Sequence, residues 1–253
     1  MPESSSNSPQ FSGSTFGPRP LDDHKFTYER RILALKRRLV REASIAMGML
    51  DAAVDALFKL DIDAAKAVRK QDDRVDAEEV AIEQECYEIL ALHHLFARDF
   101  RAITFVLKVN SDIERVADHA SSIAKVAVKI AQQSQGAPRW PTALNELAQR
   151  VPMMCHQLLR AVLDEDVEGA RSLVRSDEVI DKLERRLFEE VQDFIRAEGR
   201  TDSAMTIGMY MYRIGRELER VGDLMTNVAE DIVYLTTGNI VRHAEQRGVG
   251  TGN

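Results

Sequence analysis

The sequence predicts an all-α protein built as two tandem three-helix bundles, six helices in all. Three observations carry this. Apolar residues recur at helical spacing along most of the chain, while aromatics make up only 6 % of it, which suits packing by Leu, Val, Ile, Ala and Met. The chain is written twice: ERVAD at Glu114 to Asp118 returns as ERVGD at Glu219 to Asp223, and DDRVDAEE at Asp72 to Glu79 returns as DEVIDKLE at Asp177 to Glu184, each 105 residues later. The strongest break between the copies is QSQGAPRWP, Gln133 to Pro141, which marks the junction.

The elements follow in order. Residues 1–25, rich in Ser, Pro, Gly and Asn, bury too little apolar surface to offset ordering entropy and are expected to be disordered, as is the tail at 244–253. The first bundle is expected over 26–135 and the second over 140–243. Helix 1 is expected from about Tyr28 to Leu60. Helix 2 starts near Ile62, with Asp61 as N-cap, and ends near Leu92. Helix 3 runs from about Arg98 to Gln133, and helix 4 from about Thr142 to Leu163. Helix 5 follows Asp166, the counterpart of Asp61, and ends near Glu198 and Gly199, where Gly suits a C-cap. Helix 6 runs from about Asp202 to Leu235. The offset holds without a gap from about Ala56 to Val128 and matches core positions such as Val75 with Ile180 and Ile113 with Leu218.

Composition narrows the function. A formal net charge of −7 argues against nucleic acid as the main partner and favours cations or basic protein surfaces. No apolar run reaches about 18 residues, and no basic start precedes an apolar stretch at the N-terminus, so the expected location is the cytoplasm. Cys86 and Cys155 lack C-x-x-C spacing and read as small core residues in a reducing compartment.

Each copy holds two acid-x-x-x-acid pairs. Residues four apart on a helix stack on one face, with Cβ atoms about 5–6 Å apart. With 41 acids in 253 residues, a lone pair carries no information; recurrence at one offset on equivalent helices does. In helix 3 the apolar stripe includes Val106, Val109, Ile113, Ala117, Ala120 and Ala124, which leaves Glu114 and Asp118 to one side, toward solvent. In helix 2 the stripe of Val68, Val75, Ile82 and Ile89 has Asp72 and Asp76 along its edge. The same geometry follows for Asp177, Asp181, Glu219 and Asp223. The carboxylates are then expected at an accessible seam between two helices. Gathered acids raise one another's pKa values, which a multivalent cation relieves. All-oxygen ligation suits hard cations: Mg²⁺, Mn²⁺, Ca²⁺ or iron. The competing reading makes them solvated acids paired with neighbouring Lys and Arg. Glu79 and Glu184 lie closer to the stripe, either as paired structural acids or as additional ligands.

Other features point elsewhere. His93 and His94 read as a polar helix end. His119 faces Leu224 in the repeat, so the duplication does not support it as a ligand. Bundle di-iron enzymes use Glu-x-x-His pairs, and no Glu stands three residues before any His here. Neither a phosphate-binding P-loop nor a dinucleotide fingerprint is present. Met205, Met209, Met211 and Met225 are expected in an adaptable core. A metal-dependent hydrolase built on the carboxylates and a plain structural bundle remain the alternative readings.

Several stretches resemble the PhoU family of phosphate-signalling regulators. SDIERVADHASSIAKVAV, Ser111 to Val128, is similar to the family's first E-R-[IV]-x-D-H-A segment. LERVGDLMTNVAEDIVYLTTGNIVRH, Leu218 to His243, is similar to its C-terminal signature, and ILALHHLFARDFR, Ile89 to Arg101, to its helix 2–helix 3 corner. Three features depart from the family pattern: His94 and Leu95 in place of Gln-Pro, Leu224 in place of a common His, and the long N-terminal extension. The resemblance implies two similar bundles and no enzymatic activity. It implies a regulator linking the ATPase subunit of a Pst-type phosphate ABC transporter to a PhoR-type sensor histidine kinase, peripheral to the membrane through those partners only. It further implies metal ions (Mg, Mn, Fe or Zn) held by Asp72, Asp76, Glu114 and Asp118 in the first bundle. In the second bundle the implied ligands are Asp177, Asp181, Glu219 and Asp223, with Asn227. Broad helical faces also suit a homodimer.

Overall fold

A computed structural model of the chain describes residues 22–134, 136–164 and 166–237. The expected disordered tail, and the N-terminal extension up to residue 21, lie outside them. The elements are α1 (Asp22–Lys59), α2 (Ile62–Leu92), α3 (Ala97–Gln133), α4 (Thr142–Asp164), α5 (Val167–Ala197) and α6 (Asp202–Thr237). The expected boundaries hold to within two residues except at one end: α1 begins six residues before Tyr28 and takes in residues 22–25 of the stretch expected to be disordered. The polar run at residues 22–25 carries no apolar spacing by which periodicity could register a helix.

The duplication is repeated in the local geometry. Asp61 caps α2 by accepting from the amides of Asp63 and Ala64, and Asp166 caps α5 by accepting from the amide of Gly169. The corners match as well: the Asp61 amide donates to the Ala56 carbonyl and the Asp166 amide to the Ala161 carbonyl, both at 2.9 Å. Beyond α5, Gly199 at φ +72° and Arg200 at φ +58° take the left-handed conformation that turns the chain into α6.

α1, α2 and α3 pack on one another, as do α4, α5 and α6. The predicted stripes are the core: all four named residues of α2 and all six of α3 are buried. Cys86 and Cys155 are buried free thiols whose pKa values burial pushes up, as small core residues should be. The methionine expectation needs correction. Met211 and Met225 are core, but Met205 and Met209 are 51 % and 62 % exposed, because they fall on the outer face of α6.

The two bundles meet mainly through α3 against α6, with a smaller contact of α1 against α4. Each helix at this contact therefore faces its own copy, the arrangement of two-fold-related repeats. Lys108 pairs with Asp231 and Ser122 accepts from Arg213, so α3 and α6 run antiparallel. Between these pairs His119 Nδ1 lies 2.7 Å from Glu217. His119 thus belongs to the inter-bundle contact and not to a seam. Among the described residues no helix is long and apolar enough to cross a membrane.

Candidate metal centre

The second bundle carries the tightest gathering of acids. Asp181 comes from α5, and Glu219 and Asp223 from α6. Each offers a carboxylate oxygen within 4.8 Å of the others, and among the described residues no other group of three potential ligands converges this way. Asp177 sits one turn before Asp181, where its carboxylate accepts from the Thr226 hydroxyl at 3.1 Å. Asn227 is exposed one turn beyond Asp223. The seam also has an internal cation. The Arg216 guanidinium is 3.2 Å from Glu219 and 3.6 Å from Glu184, and Glu184 in turn accepts from the Tyr212 hydroxyl at 2.7 Å. That makes Glu184 a paired structural acid. Burial pushes Glu219 up, with Asp223 adding to the rise and Arg216 opposing it; Asp223 is pushed up by desolvation, then by Asp177 and Asp181.

The first bundle holds Asp72 and Asp76 on α2 and Glu114 and Asp118 on α3. The Ser121 hydroxyl bonds Asp72 as Thr226 bonds Asp177, at the same offset of 105 residues. Burial raises the pKa of Asp72, and Asp118 and Asp76 raise it further against the pull of Ser121. Glu114 is raised by burial, then by Asp118, Asp76 and Glu79. These four acids lie in one another's field without the close convergence of the second seam. In both seams the outer members are exposed (Asp76, Asp118 and Asp223), while Glu114 and Glu219 are partly buried rather than turned to solvent as expected. The difference arises because the partner helix, α2 or α5, covers the flank of the stripe that single-helix geometry leaves open.

Unsatisfied oxygens test whether a cation suits these residues. Asp72 Oδ1 and Glu219 Oε2 are buried with no hydrogen-bond partner. Buried polar atoms are nearly always bonded to protein, water or an ion, and an all-carboxylate donor set is the kind hard cations take. The residues fit a metal ion.

Sequence reasoning missed four further groups beside the acids. Arg216 and Tyr212 in the second bundle have Ser111 and Leu107 as counterparts in the first. Glu42 and Asn110, both 1 % exposed in the first bundle, have Leu147 and Gly215 as counterparts. The signal for Glu42 was an acid falling on the apolar stripe of α1, among Leu35, Leu39, Ala46 and Met49.

Two tandem three-helix bundles, each with acid pairs along the seam between its second and third helices, define a duplicated helical protein with one acidic seam per repeat. The PhoU domain model matches residues 39–127 and 144–232, two stretches that are themselves 105 residues apart. The chain belongs to the PhoU family. It is 35 % identical to the phosphate-specific transport system accessory protein PhoU homolog of Deinococcus radiodurans, over 76 % of this chain and 87 % of the relative. The crystal structure of PhoU from Pseudomonas aeruginosa aligns with a TM-score of 0.79 at 27 % identity, covering 84 % of this chain and all of that one. The phosphate transport system regulatory protein PhoU from Streptococcus pneumoniae aligns at 0.74 and 25 % identity, covering 85 % and 99 %.

Proposed function

We propose that this chain is a non-enzymatic regulator of phosphate uptake and phosphate-starvation signalling. It acts as an adaptor between the ATPase subunit of a phosphate ABC transporter and a PhoR-type sensor histidine kinase, at the cytoplasmic face, and reaches the membrane through those partners only. The observation that carries the reading is the match of both bundles to one family whose relatives are named accessory and regulatory proteins of phosphate transport. Metal ions of the Mg, Mn, Fe or Zn type belong to the proposal. Asp72, Asp76, Glu114 and Asp118 hold one site, and Asp177, Asp181, Glu219 and Asp223 the other, with Asn227 at its rim. A bound cation neutralises the gathered carboxylates and ties α2 to α3, or α5 to α6, which stiffens the surface offered to partners. Pairing of two copies as a homodimer completes the proposal.

The test is a deletion of the gene in its host, with the tagged protein restored and recovered from cells grown at high and low phosphate. The expected result is loss of repression of phosphate-responsive genes in the deletion strain and recovery of the transporter ATPase with the tagged protein. Normal repression in the deletion strain contradicts the regulatory role, and recovery of neither partner at either phosphate level contradicts the adaptor role.

A further inference from the structure

We infer that the first bundle carries an inner divalent-cation ligand set, Glu42 on α1 with the Asn110 side-chain oxygen on α3, which extends its acidic seam into the core and has no counterpart in the second bundle. The inference rests on the metal reading of the seams proposed above.

Glu42 is 1 % exposed, and neither of its carboxylate oxygens has a hydrogen-bond partner. The residue one helical turn earlier, Arg38, is where a partner is expected. Its guanidinium is already committed, with Nε 2.8 Å from Glu78 and Nη1 2.9 Å from Glu85. The remaining charges facing Glu42 are acids: Glu78 and Glu79 on α2, and Glu114 on α3. Glu114 is itself a seam residue, so the Glu42 carboxyl lies buried within the field of the seam.

Asn110 supplies a second, independent acceptor. Its amide nitrogen donates to the Glu79 backbone carbonyl at 2.9 Å. That bond fixes which way the amide points, since only nitrogen can donate to a carbonyl. The oxygen, Oδ1, is then the free end, and it is buried without a partner. Glu42 and Asn110 both neighbour Glu79, one through its field and the other through its carbonyl. Three buried side-chain oxygens without partners belong to these two residues: both of Glu42 and Asn110 Oδ1. A set of carboxylate and amide oxygens lacking donors is what a hard cation satisfies.

The repeat argues that this arrangement is not required by packing. At the equivalent core positions the second bundle has Leu147, fully buried, and Gly215. A three-helix bundle of this shape closes with an apolar residue there, so the acid and the amide in the first copy serve something other than closure.

The experiment uses the full chain with the second seam disabled by Asp181→Asn, Glu219→Gln and Asp223→Asn, so that the first seam is read alone. Mn²⁺ is titrated into this protein and into its Glu42→Gln and Glu42→Leu versions, by calorimetry and by water-proton relaxation. Thermal unfolding with and without Mn²⁺ shows that each version is folded. The expected result is Mn²⁺ binding by the parent, weakened at least tenfold by Glu42→Gln. Relaxation enhancement per bound ion should rise as water replaces the lost ligand. Glu42→Leu, which installs the second bundle's own residue, should fold at least as stably without metal and show the same loss. Unchanged affinity and relaxation in both versions overturn the inference while leaving the seam reading intact. If the parent binds no Mn²⁺ while the chain with both seams intact does, the inference fails and the metal reading survives for the second bundle only. If neither binds, both fail together.

Discussion

The two seams stand on equivalent helices, carry equivalent acid pairs and anchor the first acid of each with an equivalent hydroxyl, Ser121 or Thr226. They differ in what answers the negative charge. In the second bundle Arg216 pairs with Glu184 and Glu219, and Glu219 converges with Asp181 and Asp223. In the first bundle Ser111 stands where that arginine would be, and a further acid, Glu42, is buried behind the seam. Duplication preserved the acid pairs and changed what neutralises them. One seam is partly answered by Arg216; beside the other, both Glu42 oxygens and Asp72 Oδ1 have no partner.

Exchanging the differing residues between the copies breaks this comparison most sharply. Leu147→Glu places an unpaired carboxyl in a core that has no use for it and is expected to destabilise the protein by about 4 kcal/mol, read by urea unfolding. The reverse exchange, Glu42→Leu, is expected to stabilise the metal-free protein by about 1–3 kcal/mol, because it removes two unsatisfied oxygens.

The pH dependence of the metal-free protein comes next. Burial, with Glu78 and Glu79 adding, pushes the Glu42 pKa up to about 8 from an ordinary 4.5. Between those values the folded protein holds a proton that the unfolded chain releases, so stability is full below about pH 4.5 and falls as pH rises toward 8. The raised values of Asp72, Glu114, Asp177, Glu219 and Asp223 act in the same direction. Thermal unfolding from pH 5 to 8 is expected to show a decline worth a few kcal/mol, on the order of one per pH unit, that Glu42→Gln flattens. A flat profile in the unmodified protein contradicts the buried, unpaired state of Glu42.

A smaller effect is expected at the Asn110 and Gly215 pair. A Cβ at Gly215 would lie 2.0 Å from Leu187 Cδ2, in a fully buried position, so Gly215→Ala is expected to cost about 2 kcal/mol. Asn110→Ala loses one hydrogen bond and frees a buried acceptor, for about 1 kcal/mol. Equal effects would mean that the two positions do the same job.

The finest adjustment is to the seams themselves. Arg216→Ser gives the second seam the first seam's residue and is expected to tighten Mn²⁺ there about tenfold, or about 1.4 kcal/mol, by removing the competing charge. Ser111→Arg is expected to loosen the first seam by a similar factor in the same titration.

Much of this was legible in the sequence because helices report themselves through periodicity. The stripes of α2 and α3, the caps at Asp61 and Asp166 and the break after Gln133 all follow from local rules. The start of α1 did not, since the polar residues 22–25 leave no apolar trace. The acid pairs were legible through the repeat. Their split into inner Glu114 and Glu219 and outer Asp118 and Asp223 was not, because it depends on how far α2 and α5 overlap their neighbours. Arg216 and Tyr212 were hidden for the same reason: a side chain that reaches across to another helix has no signature in its own spacing. Glu42 was visible as an acid out of place on the α1 stripe, but its meaning required knowing that Arg38 is spent on Glu78 and Glu85.

The most direct test of the account is a Mn²⁺ titration of the full chain with each seam disabled in turn, by Glu114→Gln with Asp118→Asn, and by Glu219→Gln with Asp223→Asn. The account predicts two sites of unequal affinity, one removed by each pair of substitutions and the other left in place. Absence of binding by the unmodified chain, or binding that neither pair of substitutions alters, would contradict it.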